Sequence, residues 1–69
     1  MANDIQYNYK TRMVDELATL IAKIALLEKV IYSEDSTISK DKLELMHKQL
    51  DYMYGYRAIL TDRIYIELQ

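Results

Sequence analysis

Five polar side chains in the first third of the chain fall on one side of a predicted helix. At 100° per residue they lie within an arc of about 80°: Tyr9, Arg12, Glu16, Thr19 and Lys23. One interpretation is a solvated helix flank in which Arg12 and Glu16 pair at i,i+4. The other is a ligand-binding surface, since this stripe combines an aromatic ring with two cations.

The spacing of Tyr9 and Lys23 limits what one copy of the chain can bind. The two residues are two heptads apart, about 21 Å along a helix axis, so a small ligand does not easily contact both. An antiparallel two-fold pairing of this helix would place Tyr9 of one copy near Lys23 of the other. Such a pocket is lined twice over by symmetry. It would suit a ligand that is roughly two-fold symmetric and doubly anionic.

The second half of the chain adds a ring and two arginines. Tyr56 and Arg63 are one heptad apart, and a ring and a guanidinium on one line can stack a base and hold a phosphate. The alternative is that Arg63 pairs with Glu67 at i,i+4. Arg57 interrupts an apolar seam, where an unpaired buried guanidinium is very costly. It therefore forms a structural ion pair, extends to water, or holds a phosphate.

The composition argues against catalytic and metal-dependent classes of protein. The chain has no cysteine, so the sequence offers no disulfide framework and no thiolate metal site. His47 is its single histidine; it does not build a zinc site by itself, and we interpret it as solvated. No Ser/His/Asp set and no Gly-rich phosphate loop occurs. We expect no enzyme, no metal and no cofactor.

Charge and hydropathy narrow the range of partners. A net charge of −2 argues against a binder of long nucleic acid, which normally presents a basic surface. No apolar run reaches the roughly 18–20 residues that span a bilayer. The first residues lack a basic segment followed by an apolar stretch, the pattern of a secretory signal. We therefore expect no membrane partner and a cytoplasmic location.

Two heptad patterns separated by a polar break predict the elements that carry these side chains. We expect one domain, 1–69, with helix 1 at about 6–32, a loop at 33–38 and helix 2 at about 39–67. Ser39 is a good N-cap for helix 2. Because a short loop makes its helices antiparallel neighbours, the predicted fold is all-α, an antiparallel two-helix hairpin. The seam positions are Met13, Leu17, Leu20, Ile24, Leu27 and Ile31 in helix 1, and Leu43, Met46, Leu50, Met53, Arg57, Leu60 and Ile64 in helix 2.

A second apolar row on helix 2 predicts that copies of the hairpin assemble. The row has strict sevenfold spacing and lies well off the seam, so one narrow helix covers both surfaces poorly. A chain this short also buries only about 60% of its unfolded surface when it folds alone. With no disulfide or metal to staple it, a partner subunit remains, and we expect a helical-bundle homo-oligomer, from a dimer to a hexamer. The outer row comprises Leu45, Tyr52, Ile59 and Ile66.

Spaced residues in both helices carry a family resemblance. They are residues 9–17 (YKTRMVDEL), Lys23-Ile24 and Leu27 in helix 1, and Leu45, Gln49-Leu50, Met53, Tyr56, Ile59-Leu60 and Arg63-Ile64 in helix 2. Over about residues 7–66 the chain resembles a group of small phage helical-hairpin proteins. The group includes hairpin proteins of crAss-like phages and the anti-CBASS and anti-Thoeris sponges that bind cyclic oligonucleotides.

The resemblance implies interlocked helical oligomers, often hexamers, that bind cyclic di- or trinucleotides or ADP-ribose derivatives without cleaving them. It implies that Tyr9, or alternatively Tyr7, stacks on a base and that Lys23 contacts phosphate, with Tyr56 and Arg63 as further contacts. The hypothesis is a phage sponge that sequesters cyclic-oligonucleotide immune messengers in the infected host's cytoplasm. Two alternatives stay open. One is a structural or protein-binding module whose spare apolar face docks another protein, and the other is an RNA-binding hairpin dimer.

Overall fold

The computed structural model describes residues 7–69, with side chains from Tyr9 onward. A π-helical turn, Tyr7–Thr11, leads into helix α1, Arg12–Ile31, and a polar loop joins α1 to helix α2, Lys40–Glu67. At 1.5 Å per residue, helices of 20 and 28 residues are about 30 and 42 Å long. Residues 7–69 contain no strand, and the all-α prediction is confirmed. The expected start of helix 1 near residue 6, like the opening residues read for a secretory signal, lies outside the described part of the chain.

The two helices lie side by side and run in opposite directions. Tyr9 contacts Glu67 at one end of the hairpin, and the rings of Tyr32 and His47 meet edge to face at the loop end. The resulting rod measures 53 × 18 × 14 Å. A body this narrow has one seam between its helices and no layer behind it, so most side chains stay in contact with solvent.

The core lies along the predicted seam. Alternating spacings of three and four keep the seam side chains on one face of each helix, and these faces meet between α1 and α2. Leu60 is fully buried, and Ile24 and Leu50 are each 2% exposed. Every buried side chain of residues 9–69 occupies a predicted seam position; the set is Met13, Leu20, Ile24, Ile31, Leu50 and Leu60.

Local hydrogen bonds turn the chain between the helices. Asp35 accepts from the Thr37 amide at 2.9 Å and from the Thr37 hydroxyl at 2.7 Å, which lowers the pKa of the Asp35 carboxyl from its usual value. Ser39 then caps α2, because its hydroxyl accepts from the Lys42 amide at 3.3 Å. Glu34 takes a left-handed conformation with φ of 59°, which costs a residue with a side chain about 1 kcal/mol or more.

The outer row of α2 lies on the surface of the hairpin. Its members are between 63% and 81% exposed, so within one chain α1 leaves them uncovered. Gly55 lies beside this row in the middle of α2, and a Cβ built there has nothing within 4 Å. No helix in the described part of the chain is long and apolar enough to cross a membrane.

Candidate ligand-binding site

A groove between the two helices brings together two of the predicted site residues. Lys23 comes from α1 and Tyr56 from α2, and neither is buried: Lys23 is exposed, and Tyr56 is 44% exposed. The groove has a volume of about 200 Å³. We call it the Lys23 groove; it is lined by Glu16, Thr19, Leu20, Lys23 and Tyr56.

The side chains of the Lys23 groove have complementary chemistry. The Lys23 ammonium is a mobile point charge with three donors, suited to a phosphate. The Tyr56 ring offers a flat surface on which a base can stack. Thr19 adds a hydroxyl and Glu16 a carboxylate, which accept hydrogen bonds from ribose hydroxyls or base amino groups. The groove can therefore contact each part of a nucleotide. Its one carboxylate, Glu16, lies among the residues that line it.

A second groove lies on the other side of Lys23 and is mostly apolar. It has a volume of about 330 Å³. Leu26 is 66% exposed and Val30 is 39% exposed, so this face of α1 offers uncovered aliphatic surface. Leu26 and Val30 belong neither to the predicted seam nor to the predicted site. The lining comprises Lys23, Leu26, Leu27, Val30, Gln49 and Met53.

Tyr9 lies outside both grooves, at the open end of the hairpin. Its ring is 46% exposed, and its hydroxyl donates a hydrogen bond to Oε1 of Glu67 at 3.3 Å. The hydroxyl is therefore held while much of the side chain stays accessible. Tyr9 is 14 positions from Lys23, about 21 Å on helical rise. Within one chain, Tyr9 does not complete the Lys23 groove. The side chain of Tyr7, the alternative stacking residue, lies outside the described side chains.

Arg57 lies on an aromatic ring. The carbon at the centre of its guanidinium is 5.1 Å from the centroid of the Tyr54 ring, within the range of a cation–π interaction. The Tyr54 hydroxyl donates to a carboxylate oxygen of Glu28 on α1, and this hydrogen bond raises the pKa of Tyr54 to about 12. The half-buried Arg57 thus belongs to a contact that joins the two helices.

Arg12 and Arg63 are the remaining predicted cations. Arg12 opens α1 and is exposed, and Arg63 is exposed near the end of α2. Neither is among the residues that line the groove. Glu67, considered from the sequence as the i,i+4 partner of Arg63, instead accepts a hydrogen bond from Tyr9. Of the six predicted site residues, only Lys23 and Tyr56 are among those that line the Lys23 groove.

Two carboxylates that accept hydrogen bonds from tyrosine hydroxyls were not predicted from the sequence. Glu28 accepts from Tyr54, 26 positions along the chain, and Glu67 accepts from Tyr9, 58 positions away. No periodic pattern within one helix predicts such a pair, because it depends on how α1 slides along α2. The Tyr54–Arg57 contact could have been predicted from the sequence, since residues at i and i+3 are neighbours on a helix surface.

We find no candidate metal centre in the described part of the chain. Among its residues, no group of three or more His, Asp or Glu side chains is placed to hold a metal ion. His47 is exposed at the loop end, with its ring centroid 6.4 Å from that of Tyr32. The candidate site is therefore the Lys23 groove, with the Lys23 ammonium and the Tyr56 ring as its functional groups.

The fold and the groove define a class, the small helical-hairpin binding proteins. The chain belongs to the Sequestin family, whose model matches residues 7–66. This match spans the range over which the sequence resembles phage sponges, so the resemblance is confirmed at the level of the family. The family name indicates a sequestering, non-catalytic role. A comparison with curated proteins and one with solved structures give no match.

Proposed function

We propose that this protein is a phage anti-defence sponge that sequesters cyclic-oligonucleotide second messengers in an infected bacterium without cleaving them. The observation that carries the proposal is the meeting of Lys23 and Tyr56 in one groove. A cation for phosphate and a ring for a base are the minimum that a nucleotide ligand requires. Membership of the Sequestin family supports sequestration as the activity. That the sequestered ligand is a cyclic nucleotide is our proposal.

The size of the Lys23 groove supports a site shared between copies. Pockets that bind small ligands are usually about 300–1,000 Å³, and this groove measures about 200 Å³. One chain therefore supplies a partial site. An antiparallel two-fold pairing of α1 brings Tyr9 of a second copy to Lys23, which adds a further ring. The shared pocket then has two equivalent halves, and these match a ring with two phosphates.

The outer row of α2 supports an assembly of such pairs. Tyr52 is 81% exposed and Ile59 is 63% exposed, and together with Leu45 and Ile66 they form a row of exposed side chains at heptad spacing along the helix. Exposed apolar surface of this kind usually marks an interface. We propose that other copies cover it, which gives a homo-oligomer between a dimer and a hexamer. The sponge then works by stoichiometry, because each assembly holds several messengers.

Titration calorimetry with a panel of cyclic di- and trinucleotides tests the proposal. The expected result is at least one ligand with a Kd near 1 μM or below, about −8 kcal/mol. Recovered ligand should run unchanged on chromatography after incubation with the protein. Binding no tighter than about 10 μM across the panel, or hydrolysed ligand, would contradict the proposal.

A lysine pair provides the matched control. Lys23→Ala is expected to keep the oligomer and lose most of the affinity, since it removes the phosphate contact. Lys29→Ala removes the same charge from the last turn of α1, at a position that lines neither groove, and should bind like the parent. Equal affinity of the two variants would exclude Lys23 from the site.

The exposed outer row also favours a second candidate function, docking of a different protein. Under that alternative, Tyr9→Ala and Lys23→Ala leave function intact, whereas Ile59→Asp abolishes it. Under the sponge proposal the same lysine change removes ligand. Ile59→Asp is expected to abolish function under both hypotheses, because it also breaks up the proposed assembly. Lys23→Ala therefore separates the two functions: it loses function only if the protein sequesters the ligand.

A further inference from the structure

The segment that carries Tyr9 is held to the rest of the chain from its far end. Tyr9 lies in the π-helical turn Tyr7–Thr11, ahead of α1. The first turn of a helix opens more readily than its middle unless another contact ties it down. The hydrogen bond from the Tyr9 hydroxyl joins this turn to Glu67, the last residue of α2, 58 positions away. The bond thus closes the open end of the hairpin.

The geometry of this bond leaves the ring free for a ligand. The hydroxyl is at the edge of the ring, so the bond restrains its direction without covering its faces. The Tyr9 side chain is 46% exposed, whereas Glu67 is half-buried. The carboxylate is therefore the more buried partner of this hydrogen bond.

We propose that Glu67 is a positioning residue: its carboxylate holds the Tyr9 ring in the orientation that stacks on a ligand base. This inference rests on the proposed function and adds a residue that neither the sequence pattern nor the family resemblance assigns. Stacking immobilises a ring, and a ring already held by Glu67 loses less conformational freedom on binding. Glu67 therefore raises the affinity because it orders the Tyr9 ring before the ligand binds, although Glu67 itself does not contact the ligand.

A set of four variants tests the proposal, with 3′,3′-cyclic di-AMP and 3′,3′-cyclic di-GMP as probes. Tyr9→Phe keeps the ring and removes the donor, and Glu67→Ala removes the acceptor. Each is expected to weaken binding by about two- to tenfold, the range for one more immobilised side chain. The double variant should be no weaker than either single variant, since both break one bond. Glu67→Gln keeps an acceptor and should bind within about twofold of the parent.

Hydrogen exchange provides a readout that needs no ligand. Amides 12–16, which form the junction between the π-helical turn and α1, should exchange faster in Glu67→Ala than in the parent. Asp51→Ala is the matched control, because it removes an exposed carboxylate from the middle of α2 and should leave these amides unchanged. A purely global effect would instead speed exchange at every protected amide, and that result would overturn the proposal.

The outcomes separate this inference from the function on which it rests. Additive losses in the double variant, or parent-like affinity and exchange in Glu67→Ala, would overturn the role of Glu67 while leaving the sponge intact. A parent protein that binds neither these probes nor the wider cyclic-nucleotide panel would overturn the sponge. The exchange experiment would then still decide whether Glu67 holds the segment.

Discussion

Tyr54 of α2 donates a hydrogen bond to the Glu28 carboxylate of α1, and the guanidinium of Arg57 lies over the same tyrosine ring. A hydroxyl that bridges two helices and a ring that supports a cation make Tyr54 the centre of a polar clip. The clip borders the apolar seam, since Tyr54 packs against the buried cluster of Leu20, Ile24, Ile31 and Leu50. Apolar seams tolerate sliding by a turn, whereas a hydrogen bond between two particular residues does not. The clip therefore helps to set the register of the hairpin.

Loss of the Tyr54 hydroxyl is expected to destabilise the protein in a pH-dependent manner. The pKa of Tyr54 is raised to about 12 in the folded chain, against about 10 in an unfolded one. A raised folded pKa means that the stabilisation is complete below pH 10 and disappears as the pH rises towards 12. Thermal melts of the parent and of Tyr54→Phe should differ by a few degrees at pH 8 and converge as the pH approaches 12.

Tyr65→Phe controls for the general ionisation of tyrosines. Tyr65 is 67% exposed, and its variant should melt like the parent both at pH 8 and as the pH approaches 12. A Tyr54→Phe protein that also matches the parent at pH 8 would show that the bond to Glu28 does not contribute to stability.

Relief of backbone strain at Glu34 is expected to stabilise the protein. Its φ of 59° is costly for a residue with a Cβ, whereas glycine adopts this conformation without a steric penalty. Glu34→Gly should raise the free energy of unfolding by about 0.5–1 kcal/mol, after allowance for the greater freedom of glycine in the unfolded chain. Chemical denaturation measures the change. Glu34→Ala removes the same charge and keeps the Cβ, so a gain in the alanine variant as large as that in glycine would contradict the strain argument.

The seam and the outer row of the hairpin could be predicted because both depend on periodicity alone. Leu60 and Ile24 are buried, and Tyr52 and Ile59 are exposed, in agreement with their positions in the heptads. The π-helical turn at Tyr7–Thr11 was not predicted. Its hydrogen-bond pattern differs from that of an α-helix by one residue, and no pattern in the side chains marks that difference.

The residues that form the candidate site could be predicted only in part. Lys23 and Tyr56 were both selected from the sequence, but on separate grounds, and Tyr56 was grouped with Arg63 on one line of helix 2. Their shared groove depends on how far α1 is shifted along α2. A heptad pattern fixes which face is buried and leaves the pairing of flanking residues undetermined. Pairs that bridge the helices, such as Tyr54 with Glu28, are hidden for the same reason.

A charge in the outer row is expected to break up the proposed assembly. Ile59→Asp places a carboxylate in the middle of the row, where burial against a second copy is strongly unfavourable for an unpaired charge. Light scattering should show a smaller mass for this variant, together with a loss of helical circular dichroism at low concentration, because short hairpins rely on partners.

The matched control for the assembly experiment is Thr61→Asp. Thr61 is also exposed on α2, two residues from Ile59 and therefore on another side of the helix. Its variant should keep the mass of the parent. A parent that is itself a stable single subunit at micromolar concentration would contradict the assembly and, with it, the shared pocket.

Arg57 is expected to matter more for stability than for ligand binding. Its guanidinium is engaged with the Tyr54 ring, and it does not line the Lys23 groove. Arg57→Ala should therefore lower the free energy of unfolding by about 0.5–1 kcal/mol for the lost cation–π contact, while affinity for a cyclic dinucleotide stays within about threefold of the parent. Lys23→Ala should show the reverse, with an unchanged melting temperature and a loss of binding. Arg57→Lys keeps a cation but not the flat guanidinium, so partial recovery of stability is expected. If Arg57→Ala removed binding while the melt stayed unchanged, the phosphate role that the sequence left open for Arg57 would be the correct one.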